Sequence, residues 1–237
     1  MRKLGSIVFT AYVILSTAVV GIFGSPALLF GRDAANAVIK VWVKSILWAL
    51  KIFTGVSHRV EGEEHIPEGG ALVAVNHQSM WETLAIFVLL PRPVFALKKE
   101  LTRIPVYGWW TLAAGHIAID RSAGAKALRA MRKAAAERIA EGCQVVIFPE
   151  GTRMQPGETA AYHPGVAAIY TASDAPCIPA AHDSGLYWRH PGIDKSPGVI
   201  TLRFLPPIEP GLDRKTFLRE LKGRIDSARP DLVRHEG

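Results

Sequence analysis

No charged residue occurs in residues 4–31. A helix rises about 1.5 Å per residue and the hydrocarbon core of a bilayer is about 30 Å thick, so the run SIVFTAYVILSTAVVGIF within this stretch can cross most of a membrane. The competing reading is a cleaved secretory leader, because Arg2 and Lys3 precede the run and Ala35-Asn36-Ala37 resembles a cleavage site. Arg32 and Asp33 speak against it, since they interrupt the neutral region that should precede such a cut. Membrane attachment is the expectation.

Gly24-Ser25-Pro26 should end the first apolar helix, because proline has no N–H to donate and disfavours a helical residue before it. A second apolar stretch covers 38–53. On a 3.6-residue period Lys40, Lys44 and Lys51 fall on one stripe, among Val41, Trp42, Ile46, Leu50 and Phe53. The expected place for this helix is the membrane interface, with the lysines reaching anionic head groups and Trp42 and Trp48 at the same depth. A hairpin dipping into one leaflet and a single crossing both remain open. Residues 1–55 are thus expected to form an apolar two-helix membrane segment, and 56–237 a separate domain.

Lys and Arg number 28 against 21 Asp and Glu, a formal charge of +7 that suggests an anionic partner. That partner could be nucleic acid, an acidic membrane face or a phosphorylated substrate, and a mean hydropathy of +0.17 tips the choice toward the membrane. Nucleic acid is not expected, since the basic residues are dispersed and no aromatic-basic reading motif occurs. The two cysteines, Cys143 and Cys177, form neither a CxxC pair nor a ligand cluster, so a reducing compartment is expected, with no disulfide framework, metal or resident cofactor.

Past Gly55, short apolar runs alternate with longer amphipathic ones, the pattern of an α/β domain with helices flanking a mixed, partly parallel sheet. Strands are expected at 71–75, 94–97, 116–119, 145–148, 176–181 and 199–205. Helices are expected at 82–90 and 123–141, the latter with Leu128, Met131, Ala135 and Ile139 on one stripe and Gly142 as its cap. A closing helix should start at Asp213 and carry Phe217, Leu221 and Ile225 inward. The strand-helix-strand unit over 117–148 predicts parallel pairing and a right-handed crossover, and ligands gather at the carboxyl ends of such strands.

His77 and Glu82, in VNHQSMWET, stand in HxxxxE spacing after the first of these strands. That spacing lets a loop histidine meet a carboxylate in the first turn of the next helix, which fixes one ring nitrogen and leaves the other as a general base. Ser79 is a poor nucleophile for a Ser-His-Glu hydrolase, because the chain lacks a GxSxG elbow there. FPEGTR, at 148–153, follows another strand. Gly151 lets backbone N–H groups approach an anion, Thr152 adds a hydroxyl, and Arg153 offers a fork that suits phosphate oxygens. Glu150 is expected to orient a cation or meet a substrate hydroxyl. Lys98, Lys99 and Arg121 add positive charge near the same strand ends. Cys143 and Cys177 read as core thiols, and His58, His65, His116, His163, His182 and His190 as structural.

Taken in order, NHQSxxE, Lys98-Lys99-Glu100-Leu101, GHIAIDR, FPEGTR and Ile178-Pro179-Ala180 resemble the 1-acylglycerol-3-phosphate acyltransferase family over roughly residues 60–182. The resemblance implies a glycerolipid acyltransferase-like fold on the cytoplasmic face of the inner membrane. The implied reaction moves a fatty acyl group from coenzyme A or acyl carrier protein, each a co-substrate rather than a cofactor, to the sn-2 hydroxyl of lysophosphatidate, giving phosphatidate. His77 is then the implied base and Glu82 its orienter; Arg121, Glu150, Gly151, Thr152, Arg153 and Lys98 are implied substrate contacts. The family usually has aspartate where this chain has Glu82. Another lysolipid acceptor, and a lipid-binding protein without catalysis, are the alternatives.

Overall fold

The structure is a computed structural model and describes residues 2–120 and 123–233. Two long helices lead: α1 (Arg2–Phe23) and α2 (Arg32–Thr54), joined by a 3-10 turn over Ser25–Phe30. Pro26 sits at the start of that turn, as its missing donor requires. Gly55 closes α2 at φ 70°, a left-handed conformation that costs glycine least, and its N–H donates to the Lys51 carbonyl at 3.0 Å.

Strands β1 (Val56–Glu61), β2 (Ala71–Val75), β3 (Pro93–Lys98), β4 (Ile117–Ile119), β5 (Gln144–Ile147), β6 (Cys177–His182) and β7 (Gly198–Phe204) form one sheet among the described residues, in the order β1-β7-β6-β2-β5-β3-β4. β6, β2, β5, β3 and β4 run parallel; β7 pairs antiparallel with β6 and parallel with β1. All five residues of β2 are buried, which is why ALVAV reads as unbroken apolar sequence rather than alternation. The mixed, partly parallel sheet is therefore present. β4 and β5 are parallel as their connecting helix predicts, yet β3 lies between them.

One face of the sheet packs with α1, α2 and α3 (Trp81–Leu89), burying Phe9, Val43, Ile46 and Trp81 with Val73 and Val75. The other face packs with α5 (Gly124–Ala140), α6 (Pro164–Tyr170) and α7 (Arg214–Ala228), where Met131, Ala135, Ile169, Phe217 and Leu221 meet Leu72 and Val145. Asp213 caps α7 by accepting the N–H groups of Lys215 and Thr216. A short helix α4 (Tyr107–Ala113) and a terminal turn α8 (Pro230–Val233) complete the chain. β1, α4 and α6 are among the elements that escape sequence reasoning. β1 is an edge strand whose SHRVE is half exposed and polar, while α4 and α6 have seven residues each, too few for a helical period to declare itself.

Both helices expected at the amino terminus form, and one of them is a clear candidate to cross a membrane. Among the described residues only α1 is long and apolar enough to cross a membrane, with a mean hydropathy of 2.1. Its outer side presents Ile14, Leu15, Val19, Ile22 and Phe23, while Phe9 packs edge-on against Trp188 at 5.3 Å. α2 interleaves charges with apolar residues and buries Val43, Ile46 and Leu50 in the protein. Lys40 does not reach outward either: its Nζ donates to the Leu90 and Pro91 carbonyls, both at 2.9 Å, where α3 ends and carbonyls lack helical partners.

Candidate active site

The carboxyl ends of the five parallel strands deliver five segments to one end of the sheet. β2 leads into Asn76 and His77, β5 into FPEGTR, β6 into Asp183 and Ser184, β3 into Lys99 and β4 into Asp120. Parallel register alone brings together residues more than a hundred positions apart.

His77 Nδ1 lies 2.7 Å from Glu82 Oε1, across the junction between the β2 loop and α3. Glu82 is fully buried and heavily hydrogen-bonded. Oε1 also accepts the N–H groups of Gln78 (2.9 Å) and Ser79 (2.8 Å), and Oε2 accepts the hydroxyls of Ser79 (2.7 Å) and Ser184 (3.0 Å). Burial by itself would raise the carboxyl's pKa; His182, His77 and the Ser79 hydroxyl outweigh it and hold Glu82 at about 2. An ionised Glu82 makes Nδ1 the protonated nitrogen, which leaves Nε2 with its lone pair. The ring stacks on Phe148 at 4.0 Å and 17°, which limits its rotation.

His182, expected only as a structural residue, lies behind the carboxylate, with Nε2 3.9 Å from Glu82 Oε2. It is buried, and its Nε2 donates to the Asn76 carbonyl (2.7 Å) while Nδ1 accepts the Ser184 N–H (3.2 Å), so both nitrogens are satisfied in the neutral ring. Burial lowers its pKa, against the pull of Glu82. The Asn76 side chain pairs with the main chain of His182 at 3.0 and 2.9 Å and ties β2 to β6. Ser79 is buried and spends its hydroxyl on Glu82, Ser184 and the Trp81 N–H, so it is not presented as a nucleophile.

A cavity of about 1080 Å³ begins at His77. Lys98, Gly151, Thr152 and Arg153 line its polar part; Thr17 and Gly21 of α1, Trp42 of α2, Phe95 and Trp110 line the apolar part. Arg153 is fixed by Nε donating to the Ser79 carbonyl at 3.1 Å, with Nη1 3.3 Å from His190 Nδ1. Gly151 has φ 69°, and a Cβ there would stand 2.6 Å from the His163 ring, so only glycine fits. Arg121 lies outside the described residues. Of the two roles expected for Glu150, the structure favours the one beside a cation: it is 3% exposed, does not line the cavity, lies 3.9 Å from Arg229 Nη1, and accepts the His77 N–H through Oε2 at 2.6 Å. Burial raises its pKa to about 7, although the His77 N–H and Arg229 pull the other way.

A histidine braced by a carboxylate at the head of an apolar cavity, on a mixed α/β sheet with an apolar leading helix, is the arrangement of a lipid acyltransferase. A family model described as acyltransferase matches residues 57–183. The chain is 32% identical over 205 residues to a 1-acyl-sn-glycerol-3-phosphate acyltransferase of Pseudomonas aeruginosa, covering 86% of this chain and 79% of that protein. It is 31% identical over 182 residues to the alpha form from Mus musculus, covering 75% of this chain and 63% of that longer protein. It is 30% identical over 156 residues to a Limnanthes douglasii protein of the same name, covering 65% of this chain and 55% of the relative. The chain belongs to the 1-acyl-sn-glycerol-3-phosphate acyltransferase family. Its fold matches that of the 1-acyl-sn-glycerophosphate acyltransferase of Thermotoga maritima, with a TM-score of 0.77 at 23% identity over 95% of each chain.

Proposed function

We propose that this chain acylates the sn-2 hydroxyl of 1-acyl-sn-glycerol 3-phosphate from a coenzyme A or acyl-carrier-protein thioester, giving phosphatidate. The observation that carries the proposal is the His77–Glu82 pair at 2.7 Å, with His77 lining a cavity that Lys98 and Arg153 line together with many apolar side chains. His77 Nε2 takes the proton of the lipid alcohol as its oxygen attacks the thioester carbonyl carbon. Glu82 stabilises the imidazolium that forms. When the tetrahedral intermediate collapses, the C–S bond breaks and the imidazolium returns its proton to the departing thiolate. A thioester is already activated, so no covalent enzyme intermediate is needed, and holding two substrates in one cavity supplies much of the rate.

Arg153 and Lys98, with the Gly151 and Thr152 turn, bind the acceptor's phosphate in this reading, and the family resemblance assigns Arg121 to the same task. The apolar part of the cavity takes acyl chain, each methylene contributing about 0.8 kcal/mol on burial. Because α1 walls the cavity and also presents an apolar outer side, lipid can enter without passing through water. Residues 1–55 act as the membrane-associated segment and 56–237 carry the catalytic groups, at the cytoplasmic face of the inner membrane. The test is a matrix of donors and lysolipid acceptors assayed with purified protein, the products read by mass spectrometry. Phosphatidate formed at the highest kcat/KM supports the reading. Preference for a lysolipid without a phosphomonoester overturns it.

A further inference from the structure

The loop that carries His77 is fastened from behind by the segment after α7. Arg229 is 1% exposed, an expensive place for a guanidinium unless it is fully paired. Its Nε and Nη2 donate to the two oxygens of Asp231 at 3.2 and 2.7 Å, and Nη1 donates to the Glu158 carbonyl at 2.9 Å. Nη1 also lies 3.9 Å from Oε1 of Glu150, whose other oxygen holds the His77 N–H. Asp231 is equally buried and forms a second arm: Oδ2 accepts the side-chain amide of Gln78 at 2.8 Å and the Gly157 N–H at 2.9 Å. Gln78 completes that arm by accepting the Gly185 N–H at 3.1 Å, beside Ser184.

Of two consecutive residues in the base loop, Gln78 is therefore held directly by Asp231, while the carboxylate that holds the His77 N–H lies 3.9 Å from Asp231's partner Arg229. Neither Arg229 nor Asp231 lines the cavity. A pair serving only to anchor this end of the chain would need no contact with that loop.

We propose that Arg229 and Asp231 are positioning residues for acyl transfer, holding the main chain of His77 through Glu150 and that of Gln78 through its side chain, so that Nε2 points at the acceptor hydroxyl. The inference rests on the function proposed above. It places two residues in the machinery that no motif of the sequence marks.

The test uses the full chain in detergent or vesicles, with Arg229→Met, Arg229→Lys, Asp231→Asn and Glu150→Gln. Arg229→Met and Asp231→Asn should lower kcat about tenfold to a hundredfold, the scale of a small misplacement of a reacting group, while KM for donor and acceptor stays within about twofold. Arg229→Lys should recover part of the rate. Combining Arg229→Met with Glu150→Gln should cost little more than either alone, because they cut the same connection. Folded variants with unchanged kcat, or with KM rising in step, overturn the proposal, as does full additivity. Should Arg229→Met fail to fold, the kcat and KM of Asp231→Asn and Arg229→Lys decide between the same outcomes. If wild-type protein does not acylate lysophosphatidate, the acceptor assignment falls and the clamp is judged by the rate at which diethyl pyrocarbonate modifies His77, located by peptide mass spectrometry. A faster rate in the variants supports the clamp, and equal rates overturn it.

Discussion

Glu82 Oε1 meets His77 Nδ1 at 2.7 Å and two backbone N–H groups besides, so one carboxylate oxygen holds both the ring and the loop that carries it. Glu82→Gln removes the charge and offers an amide N–H to Nδ1, which favours the wrong tautomer. We expect kcat to fall by about a hundredfold to ten-thousandfold with little change in KM, as for comparable orienting carboxylates. Steady-state kinetics on the purified variant, with a melting curve to show that it folds, decide the point; near wild-type kcat would remove Glu82 from the mechanism.

Arg153 should separate the two substrates kinetically. Its guanidinium lines the cavity, and the proposed function assigns it the acceptor phosphate. A charge-assisted hydrogen bond contributes about 1.5–3 kcal/mol, so Arg153→Ala should raise KM for lysophosphatidate about tenfold to a hundredfold, with a smaller effect on the thioester donor. Equal losses for both substrates would count against the phosphate role.

The buried titrating groups give opposed dependences of stability on pH. Burial, followed by the charge on Arg32, lowers the pKa of His116 from 6.5 to about 4. A histidine with a depressed folded pKa contributes stability above its unfolded value and loses it as pH falls toward the folded one, so His116 destabilises the fold between about 6.5 and 4. Glu150 has the other sign. Raised from 4.5 to about 7, chiefly by burial, its carboxyl favours the fold when protonated, and that contribution is lost as pH rises through 7. Glu150→Gln should therefore steepen the fall in Tm from pH 7 to 4.5, and His116→Phe should make it shallower. Curves that run parallel to wild type would show that neither group titrates as its surroundings dictate.

Chain length should respond to the walls contributed by α1. Thr17 and Gly21 line the apolar part of the cavity, and a Cβ at Gly21 would already stand 2.4 Å from Val106 Cγ1. Thr17→Trp should move the preferred acyl chain shorter by a few methylenes, each worth about 0.8 kcal/mol of burial. The readout is kcat/KM across a series of saturated thioesters and lysophosphatidates. An unshifted preference in both series would exclude this wall from contact with either chain.

Much of the fold was legible because its signals are local. The uncharged run of α1, the proline that ends it, the buried apolar β2 and the stripe on α5 each declare themselves within about twenty residues, where period and turn chemistry act. HxxxxE was legible for the same reason, since His77 and Glu82 lie five positions apart. β1 and α4 were not, being too short or too polar for their periodicity to show. Lys40 misled because its stripe suits lipid as well as it suits the open end of α3.

The order of residues is enough to specify the apolar helix, the alternating elements, the His77–Glu82 spacing and the glycine turn after β5. It took the folded arrangement to establish that Ser184 donates to Glu82, that Glu150 holds the His77 N–H, and that Asp231, paired with Arg229, holds Gln78. Those contacts join positions 73 to 153 residues apart. No local pattern can encode them, because they exist only once parallel strands bring their carboxyl ends together and burial makes each unpaired polar group costly.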